Sequence, residues 1–523
     1  MKKNTMLVVG FIILAVLVIP AVKYLLPVLH KKVQVATSDA KDVKGKITIA
    51  YDDWIGYYPL ISSRMKKFAR SEGYILDGVN DGADYPARMQ ALKEGKYDFA
   101  VVTVDSYILN AVPVDFPGTI IAVLDESKGD DAMVAYTNLV KNLDSFQDGF
   151  NGSIGYTSGS PSEHLLKALP VHFNVPGLKN LPERQRVKTK DSQEALGLLR
   201  DKKVRVAVLW EPNVSKALQI PGVGRIIGTE SMSKVIVDIL VVNREFASKY
   251  PERVDFLLRT YFRTLKFYTD EQEELKKDIH TELKLTDDSI QKMLDGVAWV
   301  NLSENCHSWF GLSGPGQVAE QGLVDTIDST VSILVESGDF KSNPLPDKDP
   351  YRIMNSQFIQ EIYKNGIQNG FAALVSPGGT NATAALAHSF KPLSDAQWDK
   401  LHAVGSIRVE PIVFQTGLAN LDVEQKEKLD TAMERLKHYP SFRILVGGHT
   451  SLSGDPDANK NLSQQRAEAV ARYLTVTYSL DENRIKSVGY GGEKPLPRER
   501  DESDRAYGYR LPRVQISLLE ETF

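Results

Sequence analysis

Cysteine is nearly absent from this chain of 523 residues, in which Cys306 is the single one. A single cysteine excludes an intrachain disulfide, and no thiol stands near residue 20 to carry the lipid of a lipoprotein. The redox compartment therefore has to be inferred from other features. A strong charge imbalance is absent too. The net charge is −4 with 25% charged residues, so we expect no nucleic-acid partner.

Motifs of the common enzyme classes are also missing. The sequence contains no Gly-x-Ser-x-Gly elbow, no paired cysteines, no His-Glu-x-x-His helix and no Walker-type glycine loop. Cys306 stands beside His307, but neighbours in sequence rarely point at each other, and Trp309 and Phe310 indicate a packed surface. We therefore expect no enzymatic activity, no cofactor and no bound metal.

The N-terminal 32 residues are typical of a membrane anchor. An apolar run from Met6 to Val22 continues past Lys23 to about residue 29. A helix needs about 20 apolar residues to cross a bilayer, and the run reaches that length when the Lys23 ammonium extends to the interface. We expect a single uncleaved transmembrane helix over residues 1–32, with a cleaved signal peptide as the alternative. A polar tether over residues 33–45 follows.

Strands and helices alternate from residue 46 onward. Strand patterns at Lys46–Tyr51, Tyr74–Leu76 and Tyr97–Thr103 are separated by segments with helical periodicity. This alternation predicts a doubly wound α/β fold with a parallel sheet, and ligands of such sheets bind at the carboxyl ends of the strands.

Several segments of this region resemble the periplasmic solute-binding proteins of the nitrate, taurine and sulfonate type. The resemblance is carried by Gly56–Leu60, Ala91–Asp98, Gly155–Glu163, Ala207–Pro212 and Val241–Phe246. It covers about residues 46–345 and implies the two-lobed type II periplasmic-binding-protein fold over residues 46–364. The second lobe would occupy about residues 150–240, and the two lobes would close on a small molecule.

Eight residues at predicted strand ends and helix starts are candidates for the solute site. They are Trp54, Tyr57, Thr103, Asp105, Ser160, Ser162, Trp210 and Glu211. The loop around Ser160 combines hydroxyl groups with the free N–H groups of a helix start, which bind anions, so we expect a small anionic solute. The alternative is that Ser160 and Glu163 only cap the helix. The acidic run Asp125–Asp131 is interpreted as a hinge or as the rim of the cleft.

A second unit follows residues 365–405, much of which is rich in Gly, Ala, Ser, Thr and Asn. That composition cannot bury a core and predicts a flexible linker. Beyond it, strand patterns at Ile407–Phe414 and Arg443–Val446 and a helical pattern at Ser463–Thr477 predict a compact α/β sandwich over residues 406–523.

This second unit resembles the OmpA-like peptidoglycan-binding domain, including the C-terminal part of MotB-type proteins. The motifs are Gly448-His-Thr450, Asn459-x-x-Leu462-Ser463-x-x-Arg466, Gly489-x-Gly491 and Arg513-Val514. In that family a Gly-His-Thr-Asp loop and the helix arginine bind the diaminopimelate of the wall stem peptide. The resemblance implies a peptidoglycan site at Thr450, Ser451, Asn459, Leu462, Arg466 and Arg513.

Two departures from the family pattern affect that site. Ser451 stands at the position of the family's Asp, and Leu511 stands where the family has Asn. A free amino-acid end needs both a cation and an anion in its site, and Arg466 supplies the cation alone. Asp455 and Asp457 follow in the same loop and are candidates to replace the missing carboxylate. The alternatives are a weakened or altered wall ligand, or a domain kept for dimerisation or partner docking.

Together these features predict a non-enzymatic protein of the bacterial envelope, held in the inner membrane by one helix with most of the chain in the periplasm. It would capture or sense a small anionic solute while its C-terminal domain binds the peptidoglycan stem peptide. The alternative is a MotB-like subunit or scaffold, in which the solute-binding fold is a protein-interaction module; it would imply a multi-pass membrane partner and a possible homodimer. The apolar run contains no carboxylate, which argues against ion conduction but not against a scaffold.

Overall fold

The structure, a computed structural model, describes residues 43–146, 150–312, 320–368, 390–412, 414, 418–499 and 501–521. The predicted membrane helix, most of the tether and residues 369–389 of the predicted linker lie outside these ranges. Within the ranges, no helix combines the length and the apolar character needed to cross a bilayer.

Fifteen strands and nineteen α-helices are found in the described ranges. The strands are β1 Gly45–Tyr51, β2 Tyr74–Asn80, β3 Phe99–Thr103, β4 Gly118–Ser127, β5 Asp131–Tyr136, β6 Ile154–Thr157, β7 Arg186–Thr189, β8 Val206–Trp210, β9 Val223–Gly228, β10 Val237–Asn243, β11 Val297–Trp299, β12 His402–Ser406, β13 Arg443–His449, β14 Ile485–Gly489 and β15 Arg513–Glu520. The helices of the first half are α1 Tyr58–Ile61, α2 Ser63–Ser71, α3 Tyr85–Lys93, α4 Val104–Ala111, α5 Pro161–His172, α6 Pro176–Lys179, α7 Ser192–Arg200, α8 Asn213–Leu218, α9 Arg244–Lys249 and α10 Pro251–Asp270. The remaining helices are α11 Gln272–Leu283, α12 Asp287–Asp295, α13 Leu302–Glu304, α14 Gly322–Glu336, α15 Gln357–Gln368, α16 Asp395–Trp398, α17 Val423–Leu436, α18 Pro456–Tyr478 and α19 Asp504–Arg510.

The first sheet contains six strands in the order β11-β4-β10-β3-β1-β2. β1 pairs in parallel with β2 and β3, whereas β10 is antiparallel to both β3 and β4. Every residue of β3, β4 and β10 is buried. A strand buried on both faces needs a continuous apolar run, and that is the pattern that predicted the strand ending at Thr103.

The second sheet has the order β7-β6-β8-β5-β9, with β6 parallel to β7 and β8, and β5 antiparallel to β8 and β9. β10 in the first sheet and β5 in the second are inner strands that are antiparallel to both of their neighbours. Each of these strands comes directly after the segment in which the chain crosses over from the other sheet. Two short crossings, residues 128–130 and 229–236, therefore join two lobes. We placed the start of the second lobe at about residue 150, and its first strand begins at Asp131. Only three residues separate β4 from β5, so the sequence shows no boundary there.

The third sheet has the order β12-β15-β13-β14 and forms the C-terminal domain with α17 and α18. Two glycines let α18 lie directly on the sheet. A Cβ on Gly448 would stand 2.0 Å from Ser463 O, and one on Gly489 would stand 2.4 Å from Gln464 N. Any side chain at either position would push the helix away from β13 and β14.

Two predicted boundaries of this domain differ from the structure. The first strand covers His402–Ser406, not Ile407–Phe414, because the chain turns out of the sheet after residue 407, where the Arg408 N–H donates to His172 O in the second lobe. The long helix starts at Pro456, since the Asp455 carboxylate accepts a hydrogen bond from Ala458 N and caps it there. Both changes follow from contacts that the apolar pattern does not encode.

The C-terminal domain packs on the second lobe. Ile407 forms an isolated antiparallel bridge with Phe173, and the Asn174 N–H donates to Ser406 O at 2.8 Å. Phe173 also lies edge-on to Tyr439, with ring centroids 5.0 Å apart. One continuous apolar cluster therefore runs from the second lobe into the C-terminal domain.

The same domain also contacts the crossing segment and helix α14. The Ser441 hydroxyl donates to Ser231 O at 3.2 Å, and Ser233 N donates to His438 O at 2.7 Å. Arg408 forms an ion pair of 2.8 Å with Glu336 at the end of α14. A movement of either lobe would therefore act on the C-terminal domain.

Two histidines stack at the centre of this contact. The rings of His172 and His438 lie 4.9 Å apart at an interplanar angle of 11°, and His172 Nδ1 lies 2.8 Å from the hydroxyl of Tyr439. Burial lowers the pKa of both imidazoles. The nearby positive groups His438 and Arg435 lower the pKa of His172 further. The packed state therefore requires neutral rings.

We expect acid to destabilise this contact. Because the folded pKa of His172 lies below the unfolded value of about 6.5, the unfolded state binds more protons, and stability is lost as the pH falls through about 6.5. Thermal unfolding of the full chain at about pH 7.5 and about pH 5 should show this loss, and His172→Gln should reduce it. His280→Gln, on an exposed position of α11, is the control. Equal pH dependence in the two variants would contradict the assignment.

Candidate functional site

A cavity of about 120 Å³ lies between the two lobes. Its walls are formed by both lobes and by the strand that returns from the second lobe to the first. The lining residues are Asp52, Asp53, Trp54, Tyr57, Gly82, Ala83, Tyr85, Thr103, Asp131, Pro161, Asp191, Trp210, Ile236 and Asp238. This is the position in which a two-lobed protein encloses a ligand on closure.

Four of the eight residues predicted for the solute site line this cavity. Trp54 and Tyr57 follow β1, Thr103 ends β3, and Trp210 ends β8. Three of the four therefore stand at or just after the carboxyl ends of parallel strands of the first lobe, as the fold class predicts. Trp54 is held in place by a hydrogen bond of 2.9 Å from its indole nitrogen to Asp125 Oδ1.

The other four predicted residues do not line the cavity. Asp105 is buried at the start of α4, where Oδ2 lies 3.2 Å from the Ser106 hydroxyl. The Ser160 hydroxyl donates to Thr157 O at 2.8 Å, and Ser162 is fully buried. Glu211 accepts hydrogen bonds from the backbone N–H and the hydroxyl of Ser215.

The helix start that suggested an anion site is occupied by the chain itself. Glu163 Oε2 accepts a hydrogen bond of 2.6 Å from Gly159 N and one of 3.2 Å from the Ser158 hydroxyl. Lys167 pairs with the other oxygen of Glu163 at 3.0 Å. Ser160 occupies the N-cap position without a side-chain capping bond, and the Glu163 carboxylate bonds the loop that precedes the helix.

The cavity is acidic. Five of its lining residues are aspartates, and among the described residues no lysine, arginine or histidine lines it. Asp52 has a buried cationic neighbour, and the exposed Lys190 lies 3.9 Å from Asp191. An anion would enter this cavity next to like charges and without a counter-charge among the lining residues.

The cationic neighbour of Asp52 is Arg88, which is fully buried below the cavity. Its guanidinium contacts Asp52 at 3.1 Å, Asp81 through Nε at 2.8 Å, and Val101 O at 2.6 Å. Since each of its three nitrogens already donates to an acceptor inside the protein, Arg88 fixes the loops that follow β1 and β2 and offers no free donor to a solute.

Carboxyl groups crowd the crossing of the two lobes beside the cavity. Burial, and then the neighbouring acids, raise the pKa of Asp130 to about 9 and that of Asp131 to about 7. Burial also raises the pKa of Asp125 to about 7 and that of Asp238 well above its ordinary value. Tyr57 donates its hydroxyl hydrogen to Asp238. The run Asp125–Asp131, predicted to be a hinge or the rim of the cleft, lies at this crossing. Asp191, Asp238 and Tyr85 also line the cavity, but no pattern in the sequence predicted this.

A second candidate site lies in the C-terminal domain, where the loop after β13 meets α18. Thr450 N donates to Gly491 O at 2.9 Å, and the Asn459 amide donates to Ser453 O at 2.9 Å. His449 pairs in register with Arg513, so the start of β15 lies beside the loop. The structure thus brings all six predicted wall-binding residues to one end of the domain, with Asn459, Leu462 and Arg466 on successive turns of α18.

Arg466 and Arg513 are both held in place by backbone carbonyls. Arg466 Nε donates to Leu418 O at 3.1 Å, and its guanidinium lies 4.9 Å from the ring centre of Phe414. Arg513 donates to Leu511 O and to Lys494 O. Burial lowers the pKa of Arg513 to about 10, which still leaves it cationic at neutral pH.

Within the part of the chain that the structure describes, neither Asp455 nor Asp457, the candidates to replace the family's aspartate, forms a hydrogen bond with Arg466 or Arg513. Asp455 caps α18, and Asp457 lies exposed in its first turn. The Ser451 hydroxyl donates to Ser453 O at 3.2 Å, so it stabilises the loop. The site therefore presents two arginines and no carboxylate at position 451.

Cys306 does not have the surroundings of a nucleophile. It is buried, and burial raises the pKa of its thiol to about 12. His307 is 2.8 Å from Leu312 O and 2.9 Å from the Tyr363 hydroxyl, not from the thiol. No cluster of three or more His, Cys, Asp or Glu side chains arranged to hold a metal occurs among the residues described.

The two sheets, their two crossings and the cavity between them define a two-lobed α/β region with the periplasmic-binding-protein fold, joined to a separate α/β domain. Residues 413–508 match the OmpA family, and the chain belongs to that family through this C-terminal region. It is 30% identical over 132 residues to the peptidoglycan-associated lipoprotein of Pasteurella multocida, which is 25% of this chain and 87% of that protein.

Other relatives match over the same region. The chain is 31% identical over 120 residues to the peptidoglycan-binding protein ArfA of Mycobacterium tuberculosis, covering 23% of this chain and 36% of ArfA. It is 27% identical over 100 residues to the outer membrane protein Omp38 of Acinetobacter baumannii, covering 19% of this chain and 28% of Omp38. The match thus spans well under two thirds of these two proteins.

Solved structures resemble the N-terminal region. The periplasmic aliphatic sulphonate binding protein SsuA from Escherichia coli has 16% identity and a TM-score of 0.41, covering 49% of this chain and 86% of SsuA. The alkanesulfonate-binding protein SsuA from Xanthomonas axonopodis pv. citri, bound to MOPS, has 13% identity and a TM-score of 0.42, covering 58% of this chain and 95% of that protein. The two-lobed fold described above rests on the sheet order, not on this likeness.

Removal of Arg88 should strongly destabilise the first lobe. Arg88→Ala leaves the Asp52 and Asp81 carboxylates without their buried partner, which typically costs about 3–5 kcal/mol. Urea unfolding of the full chain, followed by circular dichroism, measures this loss in the transition of the N-terminal region. Arg200→Ala, an exposed arginine at the end of α7, is the matched control. Similar losses in both variants would contradict the role given to Arg88.

Proposed function

We propose that this chain is a non-enzymatic binding protein of the bacterial envelope that encloses a small solute between its lobes and attaches to peptidoglycan through its C-terminal domain. The observation that carries the proposal is the cavity lined by residues of both lobes at the point where the chain crosses twice between them. Enclosure at such a crossing requires only a rotation about two short segments.

Attachment to the wall is supported by the family and by the site. The chain is similar to a peptidoglycan-associated lipoprotein over 87% of that protein and to a peptidoglycan-binding protein over 36% of its length. The six residues predicted for wall binding lie at one end of the domain, where Arg466 supplies a cation for the carboxylate of the stem peptide. With Ser451 in place of an aspartate, the ammonium of that group lacks its partner, so we expect weaker binding than in relatives that keep the aspartate.

The location belongs to the same proposal. The apolar run of Met6–Val22 is long enough for a membrane helix, and a wall-binding domain at the other end requires the bulk of the chain in the periplasm. We therefore propose an inner-membrane anchor with a single span. The C-terminal domain contacts Ser231 and Ser233 of the crossing segment. These contacts are consistent with a sensor, since closure of the lobes would be transmitted to the wall-binding domain.

Wall binding should depend on Arg466. We expect the full chain to sediment with purified sacculi and Arg466→Ala to lose at least tenfold in affinity, because a charge-assisted hydrogen bond contributes about 1.5–3 kcal/mol. Arg472→Ala, exposed on the same helix, should bind like the wild type. Ser451→Asp should bind more tightly, since it restores an anion for the stem-peptide ammonium. Equal sedimentation of Arg466→Ala and the wild type would refute this part of the proposal.

Solute binding should close the lobes. A low-molecular-weight extract of the cell envelope is expected to change the tryptophan fluorescence of the full chain and to reduce its radius of gyration in X-ray scattering. Trp210→Phe should lose much of the fluorescence change, because Trp210 lines the cavity. Trp398→Phe, in the C-terminal domain, should retain it. If the extract produces neither change, the cavity does not act as a solute site.

A further inference from the structure

The charge and the shape of the cavity between the lobes select one class of solute. We propose that it binds a small organic ammonium ion, held by carboxylates and a threonine hydroxyl and enclosed by aromatic rings. This inference rests on the proposed solute-binding function and adds the chemical class of the ligand. It replaces the anionic solute that the sequence suggested.

The negative charge comes from both lobes and from the connecting strand. Asp53 lies in the first lobe, Asp131 and Asp191 in the second, and Asp238 on β10. Asp52 is paired with Arg88, and Lys190, which does not line the cavity, lies 3.9 Å from Asp191. Among the described residues that line the cavity, none is a cation that could pair with the other three carboxyls. A solute that brings a positive charge supplies the missing partner.

An unmet hydrogen bond points to the same place. Thr103 lines the cavity and is 3% exposed, yet its hydroxyl has no hydrogen-bond partner among the residues that the structure describes. A buried polar group without a partner is costly, and a ligand that bonds it recovers that cost. Asp131 lines the cavity from the second lobe, and its Oδ2 accepts a hydrogen bond of 2.8 Å from the Ser127 hydroxyl. The N–H groups of a protonated amine match these oxygen acceptors.

Four aromatic residues also line the cavity. Tyr57, Tyr85 and Trp54 lie on the first lobe and Trp210 on the second. Cations on carbon frameworks are attracted to the faces of such rings, and Trp and Tyr are the strongest partners. Closure of the lobes would bring rings of both sides against the ligand.

Size and donor arrangement restrict the cation further. A volume of about 120 Å³ holds about four water molecules, which suits an amine with a few carbon atoms. A metal ion is a poorer fit, because the described residues contain no cluster of three or more ligating side chains in a metal-binding arrangement. The ligand class is therefore a small ammonium ion.

Proton release should accompany binding. Burial and neighbouring acids raise the pKa of Asp131 to about 7 in the open cavity, and a cation beside it would lower that pKa. The ammonium ion then binds the ionised form, so affinity rises with pH, by up to about tenfold per pH unit below pH 7. The charged groups that act on Asp131 are Asp105, Glu211 and Arg225. The other titratable groups that line the cavity are Asp52, Asp53, Asp191, Asp238, Tyr57 and Tyr85.

Isothermal titration of the full chain tests the class. The probes are methylammonium, ethanolammonium and choline, with ethanesulfonate, nitrate and inorganic phosphate as matched anions, each up to about 10 mM. We expect at least one cation to bind, with Asp131→Asn at least tenfold weaker and Asp201→Asn unchanged. Asp201 is exposed in the second lobe and outside the cavity. Calcium and magnesium should not bind.

A second variant keeps the test independent of folding. Ser127→Ala removes the hydrogen bond that stabilises the Asp131 carboxylate, so the pH midpoint of binding should move upward while the fold is kept. Binding of an anion, of a divalent metal, or of none of the three cations overturns the inference. Lobe closure with the envelope extract but without cation binding would overturn the ammonium class and leave the solute-binding function standing. Absence of closure with the extract would overturn both.

Discussion

Burial of carboxyl groups at the double crossing is the constraint on which the N-terminal region depends. Asp125 and Asp131 belong to strands of different lobes, and Asp238 returns on the strand between β3 and β4. Repulsion among ionised carboxylates in a low-dielectric crossing would separate the lobes, so protons or a cation must neutralise them. The chain provides one internal solution at Arg88, which neutralises Asp52 and Asp81 alone. Burial and neighbouring acids raise the pKa of Asp130 to about 9, so this acid is neutralised by a proton at neutral pH.

The C-terminal domain is tied to this arrangement through a neutral contact. His172 and His438 stack between the second lobe and the domain, and Ser233 of the crossing segment bonds the backbone of His438. The crossing therefore has two neighbours of opposite character: an acidic cavity on one side and an imidazole pair on the other. A conformational change at the crossing reaches both, because the segment of residues 229–236 is short and hydrogen-bonded to each.

The sequence predicted the architecture, and half of the residues proposed for the solute site line the cavity. Alternating apolar positions predicted β1 and a continuous apolar run predicted β3. Trp54, which follows β1, and Thr103, which ends β3, reach the cavity. The acidic lining of the cavity was not predicted. The serine-rich loop around Ser160 has the composition of an anion site, but the Glu163 side chain folds back onto its N–H groups. A carboxylate four residues along the chain can either accept a hydrogen bond from the loop or point away from it, and composition does not distinguish these two arrangements.

The OmpA motif shows the opposite case, in which sequence by itself determined the result. Glycine is required at Gly448 and Gly489 because the α18 backbone passes within van der Waals distance, so the motif fixes both the helix packing and the loop beside it. What only the tertiary structure decided is which charges share a cavity. Asp53, Asp131, Asp191 and Asp238 are far apart in sequence and ordinary in their local patterns. They become one acidic surface because two sheets exchange strands at the crossing, and electrostatic energy depends on distance in space, not along the chain.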